Sequence, residues 1–293
     1  MKTVLITGAT GFLGYHLVGE FLKNGAIEIV AIGGRPEDKA VFHPACDRLK
    51  YCFLNEFFSE SFNCNCIDTV INCAFPRSND LAVISDAFGF TERVISRLEE
   101  LGVKSLINIS SQGVYKRLEV GSLSTEDSPI QPIDSYSLAK YAVEKMFRVS
   151  SLPIVTNIRL ASLNMPQRFL YFFVQKAIKE GRITVSAPYK YAALLDVEDA
   201  VKGIADLASL DPKNRRDTYN IGIGTQYSIL EYAESVKRIG ESLGYNIILD
   251  VEDNEITECA GMNCNRIFED TGWQARITKE AMITRMFKDL KND

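Results

Sequence analysis

Val4-Leu5-Ile6-Thr7-Gly8-Ala9-Thr10-Gly11-Phe12-Leu13-Gly14 sets three glycines at intervals of three directly behind a short apolar run. The run from 4 to 7 reads as a strand. Residues 12–24 read as a helix, with Leu13, Leu17, Phe21 and Leu22 on one face and Gly25 as its stop. With 19 glycines in the chain, a triplet carries little by itself; its place between a strand and a helix gives it meaning. Gly8 permits the tight turn. Gly11 lets backbone N–H groups approach a pyrophosphate at the positive helix end, and Gly14 lets helix and strand pack closely. Gly8, Thr10, Gly11, Phe12, Leu13 and Gly14 are therefore the expected cofactor-binding residues of this loop. A tight turn without a ligand is the plain alternative.

Outward from this turn, apolar runs at 27–32, 51–54, 69–73, 106–110 and 155–160 alternate with helical patterns, the longest at 79–101 and 136–150. That alternation predicts an α/β fold with a doubly wound parallel sheet of Rossmann type, with ligands at the carboxyl ends of the strands. Past residue 163 the pattern loosens. Helices are expected at 169–180, 197–207, 229–243 and 278–290, and short strands at 183–186, 219–223 and 247–251. Residues 1–163 are read as a dinucleotide-binding domain and 164–293 as a smaller substrate-binding lobe, with elements near 191–222 able to return to the first.

Composition narrows the function classes. The 293 residues are 46% hydrophobic and 24% charged, a globular balance, and the net charge of −5 argues against nucleic-acid binding. No apolar run approaches the ~20 residues of a membrane span. Met1-Lys2-Thr3 leads straight into the first strand rather than into a signal peptide, so a cytoplasmic protein is expected. Seven scattered cysteines without a CxxC pair, and only two histidines, leave no metal site in view and little room for Ser-His-Asp or Cys-His chemistry. Cys52 and Cys73 are expected to fill strand positions.

Tyr136 and Lys140 are i,i+4 on an expected helix, so their side chains face the same way. An ammonium beside a phenol favours the phenolate and lowers its pKa from ~10 towards working pH. Such a pair is a general acid/base suited to hydroxyl-to-ketone chemistry. Among 12 tyrosines a chance YxxxK is expected, and Tyr141 with Lys145 forms a second one.

The glycine spacing GxxGxxG resembles the extended branch of the short-chain dehydrogenase/reductase superfamily, the NAD(P)-dependent nucleotide-sugar epimerases, dehydratases and reductases. Further segments recur in the family's order: Asp68-Thr-Val-Ile-Asn-Cys-Ala74, Ile109-Ser110-Ser111-Gln112-Gly113-Val114-Tyr115, Glu126-Asp-Ser-Pro129, Tyr136-Ser-Leu-Ala-Lys140, Asp196-Val-Glu-Asp199, Tyr219-Asn-Ile-Gly222 and Thr271-Gly-Trp273. The resemblance implies Ser111, Tyr136 and Lys140 as the catalytic set, with Ser111 hydrogen-bonding the same substrate oxygen as Tyr136. Lys140 would also hold the nicotinamide ribose, and Ala74 would lie beside the cofactor. Asp134-Ser-Tyr-Ser-Leu-Ala-Lys140 is similar to the family's SPYxxSK, which favours Tyr136 over Tyr141. Ser110 is read as structural or as a main-chain cofactor contact.

Several departures refine this. The second strand runs into Gly33-Gly34-Arg35 with no carboxylate before Glu37. Two small residues leave room for a 2′-phosphate, and Arg35 is a fork donor for it, or else a solvated loop charge. NADP is expected, with NAD as the alternative. Gln112-Gly113 stand where the 4,6-dehydratases carry Asp-Glu, so dehydration is disfavoured. The family's arginine ahead of its VDD segment is missing from Tyr191-Ala-Ala-Leu-Leu195; Arg168, Lys190 and Arg266 remain as candidate anion partners. The expected activity is redox at one carbon of a small-molecule substrate, as a nucleotide-sugar epimerase or ketosugar reductase. A reductase of a smaller carbonyl compound and a non-catalytic NAD(P)-binding sensor are the alternatives. The apolar faces of 79–101 and 136–150 resemble the family's dimer seam, so a homodimer is expected.

Overall fold

The computed structural model describes residues 2–34, 42–44, 46–64, 66–166, 168–252 and 259–291. The first part contains β1 (Lys2–Thr7), α1 (Phe12–Leu22), β2 (Ile27–Ile32), β3 (Leu49–Cys52), α2 (Leu54–Phe57), β4 (Thr69–Asn72) and α3 (Leu81–Glu100). The middle contains β5 (Leu106–Ser111), α4 (Ser135–Val149), β6 (Val155–Leu160), α5 (Phe169–Glu180), β7 (Arg182–Val185) and β8 (Tyr191–Ala192). The rest contains α6 (Val197–Ser209), β9 (Thr218–Ile221), β10 (Tyr227–Ser228), α7 (Ile229–Ser242), β11 (Ile248–Val251), α8 (Asn265–Thr271) and α9 (Lys279–Lys291).

Seven strands form one sheet in the order β3-β2-β1-β4-β5-β6-β9, every pair parallel. The winding reverses between β1 and β4, which opens a crevice at their carboxyl ends. Both faces are covered, which is why the strands are mostly apolar on both sides. Val4 and Ile6 of β1 enter one core with Leu17, Phe21, Ile204 and Trp273. Leu5 enters the other with Val94, Leu98, Val143 and Phe147 of α3 and α4. A third core joins α5, β7, α7 and α9 through Leu170, Val174, Ile183, Tyr232, Val236 and Phe287.

A polar row crosses the middle of the sheet. Thr7, Asn72, Asn108 and Asn157 face one another in register on β1, β4, β5 and β6. Thr7 Oγ1 donates to Asn72 Oδ1 at 2.7 Å, Asn72 Nδ2 to Asn108 Oδ1 at 3.0 Å, and Asn108 Nδ2 to Asn157 Oδ1 at 2.9 Å. All four side chains are buried, so a slip of one residue would strand them without partners.

Two local expectations are corrected. The strand expected at 51–54 is Leu49–Cys52, because the chain turns at Phe53 into α2. There the Glu56 carboxylate accepts the Phe53 N–H at 2.9 Å and Phe57 is fully buried. Cys73 lies one residue beyond β4, in the wall of the crevice described below. Among the described residues no helix is long and apolar enough to cross a membrane, and no cluster of three or more His, Cys, Asp or Glu side chains could hold a metal.

Candidate active site

The crevice opens into a cavity of about 850 Å³ at the carboxyl edge of the sheet, walled by Gly11, Ser111, Tyr136, Lys140 and Arg168 among others. The glycine turn forms its floor. Gly8 has φ +69°, and a Cβ there would stand 2.9 Å from the Ala74 amide nitrogen. A Cβ on Gly14 would stand 2.1 Å from the Gly8 carbonyl oxygen. Gly11 differs: its added Cβ would meet only the Gly8 carbonyl oxygen, at 3.3 Å. Thus Gly8 and Gly14 are small because the protein fills the space, while the space over Gly11 is a cradle that a side chain would occupy. No side chain caps α1, so its positive end also faces this cradle, with Phe12 and Leu13 in the wall. The turn therefore fits the pyrophosphate of a dinucleotide. Thr10 and Ala74, expected at the cofactor, are not among the residues that line the cavity; Thr10 Oγ1 sits 3.1 Å from where a Gly33 Cβ would be, and the Ala74 amide nitrogen 2.9 Å from where a Gly8 Cβ would be. Arg35 lies outside the described residues.

Ser111 closes β5, and its Oγ accepts the Gly113 N–H at 3.1 Å. Tyr136 opens α4, where Asp134 Oδ1 accepts the Ser137 N–H at 2.7 Å and Asn79 Oδ1 accepts the Tyr136 N–H at 2.9 Å. Lys140, one turn on, is buried with its Nζ 4.8 Å from the centre of the Phe75 ring. The structure brings these three residues to one wall. Tyr141 and Lys145 lie elsewhere: the Lys145 ammonium stacks on the Tyr141 ring at 4.7 Å, and neither lines the cavity.

The electrostatics differ from the expectation that Lys140 lowers the phenol's pKa. Burial raises Tyr136 above its ordinary value; the cations acting against this are Arg77 and Arg168, while Asp134 adds to the rise. Burial pulls Lys140 down to about 8, opposed by Cys73 and Glu144. Arg77 escaped sequence analysis altogether. Its only signal was a cation in the loop directly after β4, at the ligand-binding edge.

Ser110 also lines the cavity, and its hydroxyl donates to Glu144 Oε1 at 2.5 Å. Glu144 is held by Arg159 in a two-pronged buried pair at 2.9 and 3.1 Å. Arg159 also donates to the Tyr115 hydroxyl at 3.1 Å, which donates to Asn220 Oδ1 at 2.6 Å. This network packs behind the site and fixes α4 against β5 and β6. Of the candidate anion partners, Arg168 and Lys190 line the cavity. Arg266 does not; it is paired with Glu126 and Asp127.

A parallel sheet wound in this order, with a glycine turn at its switch point and a Ser-Tyr-Lys set on the same edge, defines a dinucleotide-dependent enzyme of the Rossmann type. The sequence profile of the NAD dependent epimerase/dehydratase family matches residues 4–222, and the chain belongs to that family. Among its relatives, the UDP-glucose 4-epimerase of Yersinia enterocolitica is 25% identical over 331 residues, covering 98% of this chain and 96% of the relative. The dTDP-4-dehydro-6-deoxyglucose reductase of Escherichia coli is 23% identical over 323 residues, covering 98% and 97%. The fold matches a UDP-N-acetylglucosamine 4-epimerase from Bacillus cereus with a TM-score of 0.79 at 18% identity, covering 99% of this chain and all of that one. It also matches a UDP-glucuronic acid 4-epimerase from Bacillus cereus, solved with UDP-glucuronic acid and NAD, with a TM-score of 0.80 at 17% identity over 99% of each chain.

Proposed function

We propose that this protein carries out NAD(P)-dependent redox at one hydroxyl-bearing carbon of a nucleotide sugar, as a C4-type epimerase or a ketosugar reductase. The meeting of Ser111, Tyr136 and Lys140 in the cavity floored by Gly11 carries this reading. Tyr136 takes the hydroxyl proton as the carbon is oxidised and returns it when the ketone is reduced. Ser111 Oγ hydrogen-bonds the same oxygen and fixes its position. Lys140, one turn further along α4, holds the cofactor's ribose, while Arg77 and Arg168 are the cations that act on the phenol. Bound NAD(P) supplies the hydride acceptor and donor. Dehydration would need a further acid and base, and this wall offers none beside Ser111: Gln112 Nε2 donates to Ser162 Oγ at 2.9 Å, and a Cβ on Gly113 would stand 2.2 Å from Ser137 Oγ.

Product analysis by NMR with UDP-glucose, UDP-N-acetylglucosamine and UDP-glucuronate tests the reading. An epimerase returns its cofactor unchanged, whereas a ketosugar reductase consumes one NAD(P)H per product. Tight cofactor binding with no turnover of any nucleotide sugar or keto sugar overturns the reading.

NADP is the preferred cofactor in this reading. Gly33 and Gly34 follow β2 without a carboxylate to repel a 2′-phosphate, and Arg35 comes next in sequence. Arg35→Ala should shift the affinity ratio towards NAD; an unchanged ratio would sink the assignment.

A further inference from the structure

Arg77, in the loop after β4, and Arg168, directly before α5, line the same cavity as Tyr136. Among the described residues neither guanidinium has a hydrogen bond or an ion pair, and Arg168 Nε is buried with no acceptor. Three other arginines are seated on carboxylates. Arg159 is seated on Glu144, Arg266 on Glu126 and Asp127, and Arg285 on Asp196 and Glu198. No side chain caps α5, so the helix's positive end adds to the same wall. Burial and the neighbouring Arg77 together lower Arg168 to about 10, and only the Tyr136 phenol acts in the opposite sense. Two like charges and an orphaned buried donor are unfavourable unless an anion completes them.

Resting on the nucleotide-sugar reading above, we propose that Arg77 and Arg168 hold a carboxylate carried by the sugar itself, so that the substrate is a nucleotide hexuronate. The placement beside Tyr136 selects this anion over the diphosphate. In a pyranose the diphosphate hangs from C1, across the ring from C4, whereas the C6 carboxylate hangs from C5, adjacent to C4. A cation pair at the tyrosine that serves C4 is therefore within reach of C6. The two guanidinium forks also match the planar carboxylate in a way that a neutral hydroxymethyl group cannot use.

Calorimetric titration of the cofactor-loaded protein with UDP, UDP-glucose and UDP-glucuronate, repeated with the deoxythymidine series, tests this. The wild type should bind the hexuronate at least about tenfold tighter than the hexose. The double variant Arg77→Met/Arg168→Met should bring that ratio close to one, and Arg77→Lys/Arg168→Lys should retain part of it. Melting curves check that the variants fold, which the absence of internal hydrogen bonds at both guanidiniums leads us to expect. Equal wild-type affinity for the two sugars overturns the carboxylate subsite. An equal loss for nucleotide, hexose and hexuronate in the double variant assigns the pair to the diphosphate and also overturns it. Failure of every nucleotide and nucleotide sugar to bind overturns the nucleotide-sugar reading itself.

Discussion

The Tyr136 hydroxyl makes no hydrogen bond among the described residues, so removing it costs the fold little. Tyr136→Phe should leave the melting temperature and cofactor affinity near wild type while lowering turnover by ~10²–10⁴. Tyr141→Phe, on the other side of α4, should change turnover little; the reverse pattern would mean that the wrong tyrosine has been chosen. Lys140 yields a prediction on stability. Its pKa falls from 10.5 to about 8 on folding, chiefly through burial. Between those values the unfolded chain holds the proton and the folded chain does not, so this residue makes stability rise with pH across the window. Lys140→Met should therefore be more stable than wild type below pH 8, by about 3 kcal/mol at most, with the gap closing towards pH 10.5. Denaturant unfolding at pH 7 and pH 10 measures it, and a gap independent of pH would refute the buried ammonium. At this scale the sequence revealed what local spacing encodes. Tyr136 and Lys140 share a helix face, and Ser111 ends a strand. Arg77 and Arg168 meet only because β4 and β6 end at the same edge of the sheet, and the pull on the phenol's pKa depends on a depth of burial that no spacing reports.

The turn between β1 and α1 separates two roles that a glycine triplet conflates. Gly11→Val should abolish NAD(P) binding while the fold survives, because its side chain enters the cradle and its Cβ meets only one protein atom within 4 Å. Gly14→Ala should instead destabilise the fold, since its Cβ would overlap the Gly8 carbonyl. Fluorescence titration with NADPH and thermal melting of both variants distinguish these outcomes; full cofactor affinity in a folded Gly11→Val protein would remove the pyrophosphate from this turn. Strands buried on both faces declare themselves as apolar runs, and the helices beside them by their periodicity, so most of this layer was legible. The row of Thr7, Asn72, Asn108 and Asn157 was not. A polar residue within an apolar run reads as the end of a strand until its partners on the adjoining strands are known. α8 is too short for its period to show, and it is positioned by Ile267 and by the neighbouring Trp273, both buried in the first core.

At the scale of the whole molecule, α3 and α4 cover one face of the sheet yet keep apolar side chains on their outer sides. Leu81 is 71% exposed, Leu138 58% and Val149 84%, although each helix also buries a full apolar face inwards. The Asn79–Tyr136 hydrogen bond ties the starts of the two helices together, so Leu81 and Leu138 belong to one surface. We propose that two copies pack these helices against each other. Light scattering at micromolar concentration should then give twice the mass of one chain, and Leu138→Glu/Val149→Glu should give a folded monomer. Because α4 carries Tyr136 and Lys140 on its inner side, a partner braced on its outer side would restrain the helix that presents both. The monomeric variant should therefore lose turnover while its cofactor affinity, for which the glycine turn is proposed, changes little. A wild-type protein that scatters as a single chain would leave those leucines and that valine without a partner copy and end the proposal.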